Sequence, residues 1–188
     1  MKPLILATLL AAGTARAGWG PFGGGAILNT KDPGIVRFTG WEAGLTLSDP
    51  QDKGFWQFAG GRGESQVDHT QLTSAQARLN FKAASAGATM LYAGTGASLN
   101  WLDRAGSTRR LWIFSAQAGL MIAPDRLWDS FGRKPPLENL LDRHDRGARP
   151  GTGGILSSHV LLGIEAGYHT AKYALSGLES RAYLTITY

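Results

Sequence analysis

The chain has 188 residues, a formal net charge of +5 and no cysteine. The length predicts a single domain, and the absence of cysteine excludes a disulfide framework and thiol chemistry. The mildly basic charge gives no reason to expect a nucleic-acid partner. Glycine accounts for 26 residues, about twice its usual share of roughly 7%, a content that suits the tight curvature of a small β-barrel.

The first 17 residues have the features of a secretory signal peptide. Lys2 precedes the apolar segment 4–12, and Ala15-Arg16-Ala17 forms a cleavage site before Gly18. We predict that residues 1–17 are removed, which leaves 171 residues with a net charge of +3 in one domain, 18–188. No later apolar run approaches the roughly 18 residues of a membrane helix, so a location within a membrane would require a closed barrel.

Apolar and polar residues alternate along most of the mature chain, as expected for β-strands with two different faces. The clearest case is 73–83, where the polar side chains face away from the apolar ones: Ser74, Gln76, Arg78, Asn80 and Lys82. In chain order the pattern predicts eight strands: 18–29, 35–47, 55–63, 73–83, 90–101, 109–123, 156–169 and 178–188.

One segment, 124–154, breaks this alternation. It contains Pro135-Pro136, a predicted short helix at 137–144 and a basic, glycine-rich end. If both chain termini lie in the periplasm, this longest connection lies there too, although periplasmic connections of such barrels are usually short.

The final strand places Leu184, Ile186 and Tyr188 on one face, and the sequence ends on that aromatic residue. This ending resembles the C-terminal signature of bacterial outer-membrane β-barrels, which the barrel-insertion machinery reads. The resemblance implies an all-β fold: an eight-stranded antiparallel up-and-down transmembrane β-barrel with one long connection that contains a short helix. It also implies a Gram-negative outer-membrane location, with membrane lipid and the insertion machinery as partners.

Alternation alone leaves open which face points inward. A membrane barrel would place Gln76, Arg78, Asn80, Lys82 and Glu165 in its lumen, whereas a soluble secreted barrel would turn its apolar face inward and bind a small apolar ligand. The membrane interpretation also predicts aromatic girdles near the strand ends, formed by Trp41, Trp56, Trp101, Trp112, Tyr168 and Tyr188.

The candidate catalytic residues are Ser157, His159 and Glu165, which share one face of the predicted seventh strand. Ser157 and His159 would lie about 7 Å apart, but Glu165 would lie about 20 Å from His159, too far to orient its ring. The pattern has a distant resemblance to outer-membrane lipid A deacylases, which carry His-x-Ser where this chain has Ser-x-His. That resemblance implies a lipid-active hydrolase as an alternative function.

The leading interpretation is a structural or interaction role at the cell envelope, with those three residues as part of a lumen hydrogen-bond network. The acidic and histidine residues at 142–145 are typical of a solvated helix end, so we predict no metal site and no cofactor. An eight-stranded lumen is normally filled by side chains, which makes a general diffusion pore an unexpected function.

Overall fold

The computed structural model describes residues 18–30, 37–49, 51–130, 155–171 and 175–187. Eight strands form a closed barrel in which each strand pairs antiparallel with its sequence neighbours and β1 pairs with β8. The predicted all-β, eight-stranded up-and-down fold is therefore confirmed. The strands are β1 Trp19–Thr30, β2 Arg37–Ser48, β3 Gly54–Ser65, β4 Gln71–Ala86, β5 Thr89–Arg104, β6 Ser107–Ile122, β7 Val160–Ala171 and β8 Gly177–Ile186.

Two short helices accompany the strands: α1 at Pro124–Ser130 and a 3-10 turn at Ile155–Ser157. The alternation pattern gave no sign of α1. The helix begins at Pro124, and proline suits the first helical position because its missing N–H is not needed there. The helix predicted at 137–144 lies outside the described residues. Within the described ranges, no helix has the length and apolar content to cross a bilayer.

The barrel has two ends that we distinguish by the chain termini. The terminal end is where β1 begins and β8 ends, and it also carries the long connection between β6 and β7. The distal end carries the connections after β1, β3, β5 and β7. There, the β5–β6 hairpin turns through Ala105 and Gly106, and both residues have positive φ. A two-residue turn needs this conformation for its twist to match that of the flanking strands.

The outer surface of the barrel is apolar. Exposed large apolar side chains come from all eight strands: Trp19, Trp41, Trp56, Phe81, Leu91, Trp112, Ile164 and Leu184. The buried polar and charged side chains come from β2 to β8: Glu42, Gln57, Arg78, Asn100, Gln117, Glu165 and Arg181. The soluble alternative required apolar faces inside, and the described strands have the opposite orientation.

Two glycines make room for large lumen side chains. A Cβ atom added to Gly163 would overlap the ring of Tyr183, and one added to Gly119 would overlap the hydroxyl end of Tyr92. Both tyrosines are buried. The glycine content of β6 and β7 therefore serves the packing of the barrel interior.

Replacing Gly163 with alanine is expected to lower the free energy of unfolding by about 1–3 kcal/mol, because the new methyl group must displace a packed ring. Urea titration of the barrel refolded into detergent micelles would measure the loss. Gly60→Ala is the matched control, since its Cβ would meet only a carbonyl oxygen at 3.8 Å. Equal stability of the two variants would contradict this account of Gly163.

Candidate functional site

A cluster of four charged side chains occupies the barrel interior. Arg78 on β4 donates to Glu42 Oε1 at 2.7 Å and to Glu165 Oε1 at 3.4 Å. Arg181 on β8 donates to the same Glu165 oxygen at 2.6 Å and lies 3.4 Å from Glu42 Oε2. Each arginine therefore bridges both carboxylates, and the four side chains join β2, β4, β7 and β8 across the lumen.

Neutral groups complete the hydrogen bonds of this cluster. Gln76 donates to Glu42 Oε2 at 2.5 Å and accepts from Arg181 at 3.1 Å. Tyr92 donates to Glu165 Oε2 at 3.1 Å, and its hydroxyl lies 2.8 Å from that of Tyr183. Because charges removed from water are tolerated only when they are paired and hydrogen-bonded, these neutral partners help to make the buried cluster stable.

The cluster extends toward the distal end through Glu179, which contacts both His169 and Arg181. On the other side, toward the terminal end, Gln117 donates to Asn80 at 3.1 Å. The buried charged groups thus merge into a polar layer that spans the middle of the lumen.

Two apolar layers enclose this polar layer. The distal layer consists of Leu28, Phe38, Leu102, Ile113 and Leu175. The terminal layer consists of Phe22, Phe55, Met90, Tyr92, Met121, Ala123, Ile155, Leu156, Leu161 and Tyr183. A pocket of about 50 Å³ lies beside His169, Glu179 and Arg181, and Leu28, Phe38 and Ile113 of the distal layer also line it.

A cap closes the terminal end, and we define it as residues 123–127 and 155–159 of the β6–β7 connection. Its anchor is Leu156, which is buried and donates its backbone N–H to Asp52 Oδ1 at 2.9 Å. Asp52 also pairs with Lys82 Nζ at 2.6 Å. The cap joins the end of β8 as well, because the Thr187 N–H donates to the His159 carbonyl at 2.9 Å.

The structure separates the three candidate catalytic residues. Ser157 ends the 3-10 turn, and His159 precedes β7, which begins only at Val160. The prediction that the three residues share one face of a strand is therefore wrong. His159 is exposed and its N–H donates to Asp125, whereas Glu165 is buried in the charged cluster. Within β7, Glu165 is therefore not a partner of His159. The geometry does not support a catalytic arrangement of Ser157, His159 and Glu165.

The predicted lumen residues all lie on inward-facing positions. Arg78, Asn80 and Glu165 are buried, and Gln76 and Lys82 are partly buried. Of the predicted insertion signature, Leu184 and Ile186 face outward, and Tyr188 lies outside the described residues. The candidate girdle residues described here are exposed or partly exposed, with 59% of Trp41 and 62% of Trp112 accessible.

Several members of the cluster were not among the predicted lumen residues: Glu42, Arg181, His169, Glu179, Tyr92 and Tyr183. Each lies on the polar or glycine-containing side of its strand, so the alternation itself was an available signal. What the sequence lacked was the strand register that brings Glu42 beside Arg78, 36 positions away.

No protein-family model and no curated protein matches this chain. Among solved structures, the crystal structure of Neisserial surface protein A (NspA) matches with a TM-score of 0.56 at 11% identity, over 90% of this chain and 97% of that one. The crystal structure of Ail, the attachment invasion locus protein of Yersinia pestis, matches with a TM-score of 0.49 at 12% identity, over 92% and 99%. The chain therefore shares the small closed-barrel fold of the Neisserial surface protein.

Proposed function

We propose that this chain is an outer-membrane β-barrel of a Gram-negative cell envelope, with a structural or interaction role and a sealed interior. The observation that carries the proposal is the inverted arrangement: an apolar exterior around a buried, paired charge cluster. In water that exterior would be a large exposed apolar surface of the kind that soluble monomers rarely carry. In a bilayer, the apolar lipid chains would cover the same surface.

The height of the apolar surface supports the proposal. On β5 the apolar surface runs from Leu91 to Trp101, which is ten residues further along the strand. A β-strand rises about 3.4 Å per residue. With a strand tilt of about 40°, this gives roughly 26 Å, close to the band of about 25 Å found on outer-membrane barrels. Export through a cleaved signal peptide at 1–17, insertion by the barrel-insertion machinery and lipid contact around the belt are parts of this proposal.

Membrane fractionation followed by gel electrophoresis with and without boiling tests the location. We expect the protein in the outer-membrane fraction, with a mobility that changes on boiling because the closed barrel resists detergent until it is heated. Recovery from the soluble periplasm without a mobility change would refute the proposal.

The sealed lumen makes a separate prediction about transport. Because apolar layers close both sides of the polar layer, the purified barrel in a planar bilayer is expected to produce no stable ion channels under an applied voltage. Conductance measurement with a known porin as the positive control would check this. Steady ohmic channels would show that the lumen opens, which would favour a pore function instead.

A further inference from the structure

We infer that two outward-facing arginine–tryptophan pairs at the distal end bind the phosphate groups of anionic membrane lipids. The inference rests on the proposed membrane location. One pair is Arg62 on β3 with Trp41 on β2, and the other is Arg110 on β6 with Trp101 on β5. Each arginine lies directly opposite its tryptophan in the strand register.

The register places both pairs in one row across five strands. Arg62 is also opposite Thr73, and Thr73 is opposite Trp101. All five side chains occupy outward positions of their strands, and both arginines are exposed. The row therefore presents two guanidinium groups beside two indole rings on the lipid-facing side of the barrel.

Both guanidinium groups retain donors for a ligand. Arg62 uses one amino group to donate to Gln71 at 2.5 Å, and a guanidinium has five N–H groups. Arg110 makes no ion pair with any residue in the described part of the chain. Bidentate donation to phosphate is a characteristic use of such groups.

The nearby acidic residues are engaged with other partners. Glu64 lies 2.8 Å from His69, and Asp103 accepts a hydrogen bond from Thr108. In the β3–β4 loop, hydrogen bonding from Thr70 holds the pKa of Asp68 below its ordinary value, and Asp68 lies 3.2 Å from Arg104. Arg62 and Arg110 therefore remain available to an external anion. Arg37 and Arg109 are exposed at this end as well, but neither lies opposite a tryptophan in the strand register.

The two ends of the barrel differ in outward-facing charge, which gives the inference its direction. At the terminal end, the outward positions of the described strands carry only uncharged side chains, including Trp19, Trp56, Phe81, Leu91 and Ile186. Indole rings favour the boundary between apolar belt and headgroups. An arginine beside such a ring therefore lies where a lipid phosphate lies, and only the distal end offers this combination.

A variant that keeps Trp101 as its one tryptophan, with the other five changed to phenylalanine, provides a fluorophore beside Arg110. The variant is reconstituted in phosphatidylcholine vesicles that contain either brominated phosphatidylglycerol or brominated phosphatidylcholine, and quenching of Trp101 reports which lipid is adjacent. At low salt we expect about fivefold preference for phosphatidylglycerol, since one basic residue near an anionic surface contributes about that factor in affinity.

In the same background, Arg110→Gln is expected to bring the preference close to one, whereas Arg110→Lys retains part of it. Lys53→Gln, which removes an exposed cation from the terminal end, is the matched control and should keep the full preference. The mobility change on boiling shows for each variant that the barrel has folded.

Equal quenching by the two lipids in the parent protein would overturn the inference while leaving the membrane location intact. Loss of the preference in millimolar inorganic phosphate would also overturn it, because the site would then bind free phosphate. Absence of quenching by either lipid would instead refute the proposed membrane location.

Discussion

Replacing Arg78 with methionine is expected to lower the free energy of unfolding by about 3–5 kcal/mol. Only 1% of the Arg78 side chain is exposed, and it bridges Glu42 and Glu165. Its removal leaves two buried carboxylates whose one remaining cationic partner among the described residues is Arg181. Urea titration of the barrel folded into lipid vesicles, followed by gel mobility, would measure the loss.

The large effect should depend on unpaired charge and not on lost volume. Arg78→Met combined with Glu42→Gln is therefore expected to be more stable than the single Arg78→Met variant, since it removes one of the stranded carboxylates. Lys82→Met serves as the control within β4, because its pair with Asp52 is partly exposed and should contribute only about 1 kcal/mol. A cost below 1 kcal/mol for Arg78→Met would show that the cluster does not stabilise the fold.

Replacing Ile164 with arginine is expected to cost about 2–4 kcal/mol, the penalty for a cation on the lipid face near the bilayer midplane. Ile164 lies near the middle of β7, and 57% of its side chain is exposed. In a soluble protein an exposed position would accept this change with little effect on stability, within about 0.5 kcal/mol. The substitution therefore distinguishes a lipid-facing surface from a water-facing one.

Val67→Arg is the matched control for this experiment. Val67 is 66% exposed but lies in the β3–β4 loop at the distal end, outside the apolar belt. We expect the free energy of unfolding of this variant to lie within about 0.5 kcal/mol of that of the parent. If both arginine variants are equally stable in vesicles, the exterior of the strands is not in contact with lipid.

The strands and their two faces could be read from alternation because side-chain direction along a strand depends only on residue parity. Thr73 to Ala83 shows this well, since its predicted polar side is the inward side of β4. β1 gave a weak signal because of Pro21 and its glycines. In the barrel those glycines are needed: a side chain at Gly20 or Gly24 would overlap the backbone of β8.

The partners inside the lumen could not be predicted in the same way. Glu165 and Arg78 are 87 positions apart, and their contact depends on the register of every strand between them. The start of β7 was missed for a related reason: the apolar residues 155 and 156 suit a strand pattern, but they are buried in the cap. Ser157 and His159 were assigned to a strand face only because of that misplaced boundary.

The cap also has a consequence for the order in which the chain folds. It links the β2–β3 hairpin, through Asp52, to Thr187 at the end of β8, so its full set of contacts can exist only after that hairpin and the end of β8 have come together. We therefore expect the cap to dock after the barrel has closed and to open without breaking the pairing between strands. Amide hydrogen exchange at Leu156 should accordingly be faster than exchange at the central residues of β5, because local opening of a terminal segment costs less free energy than global unfolding.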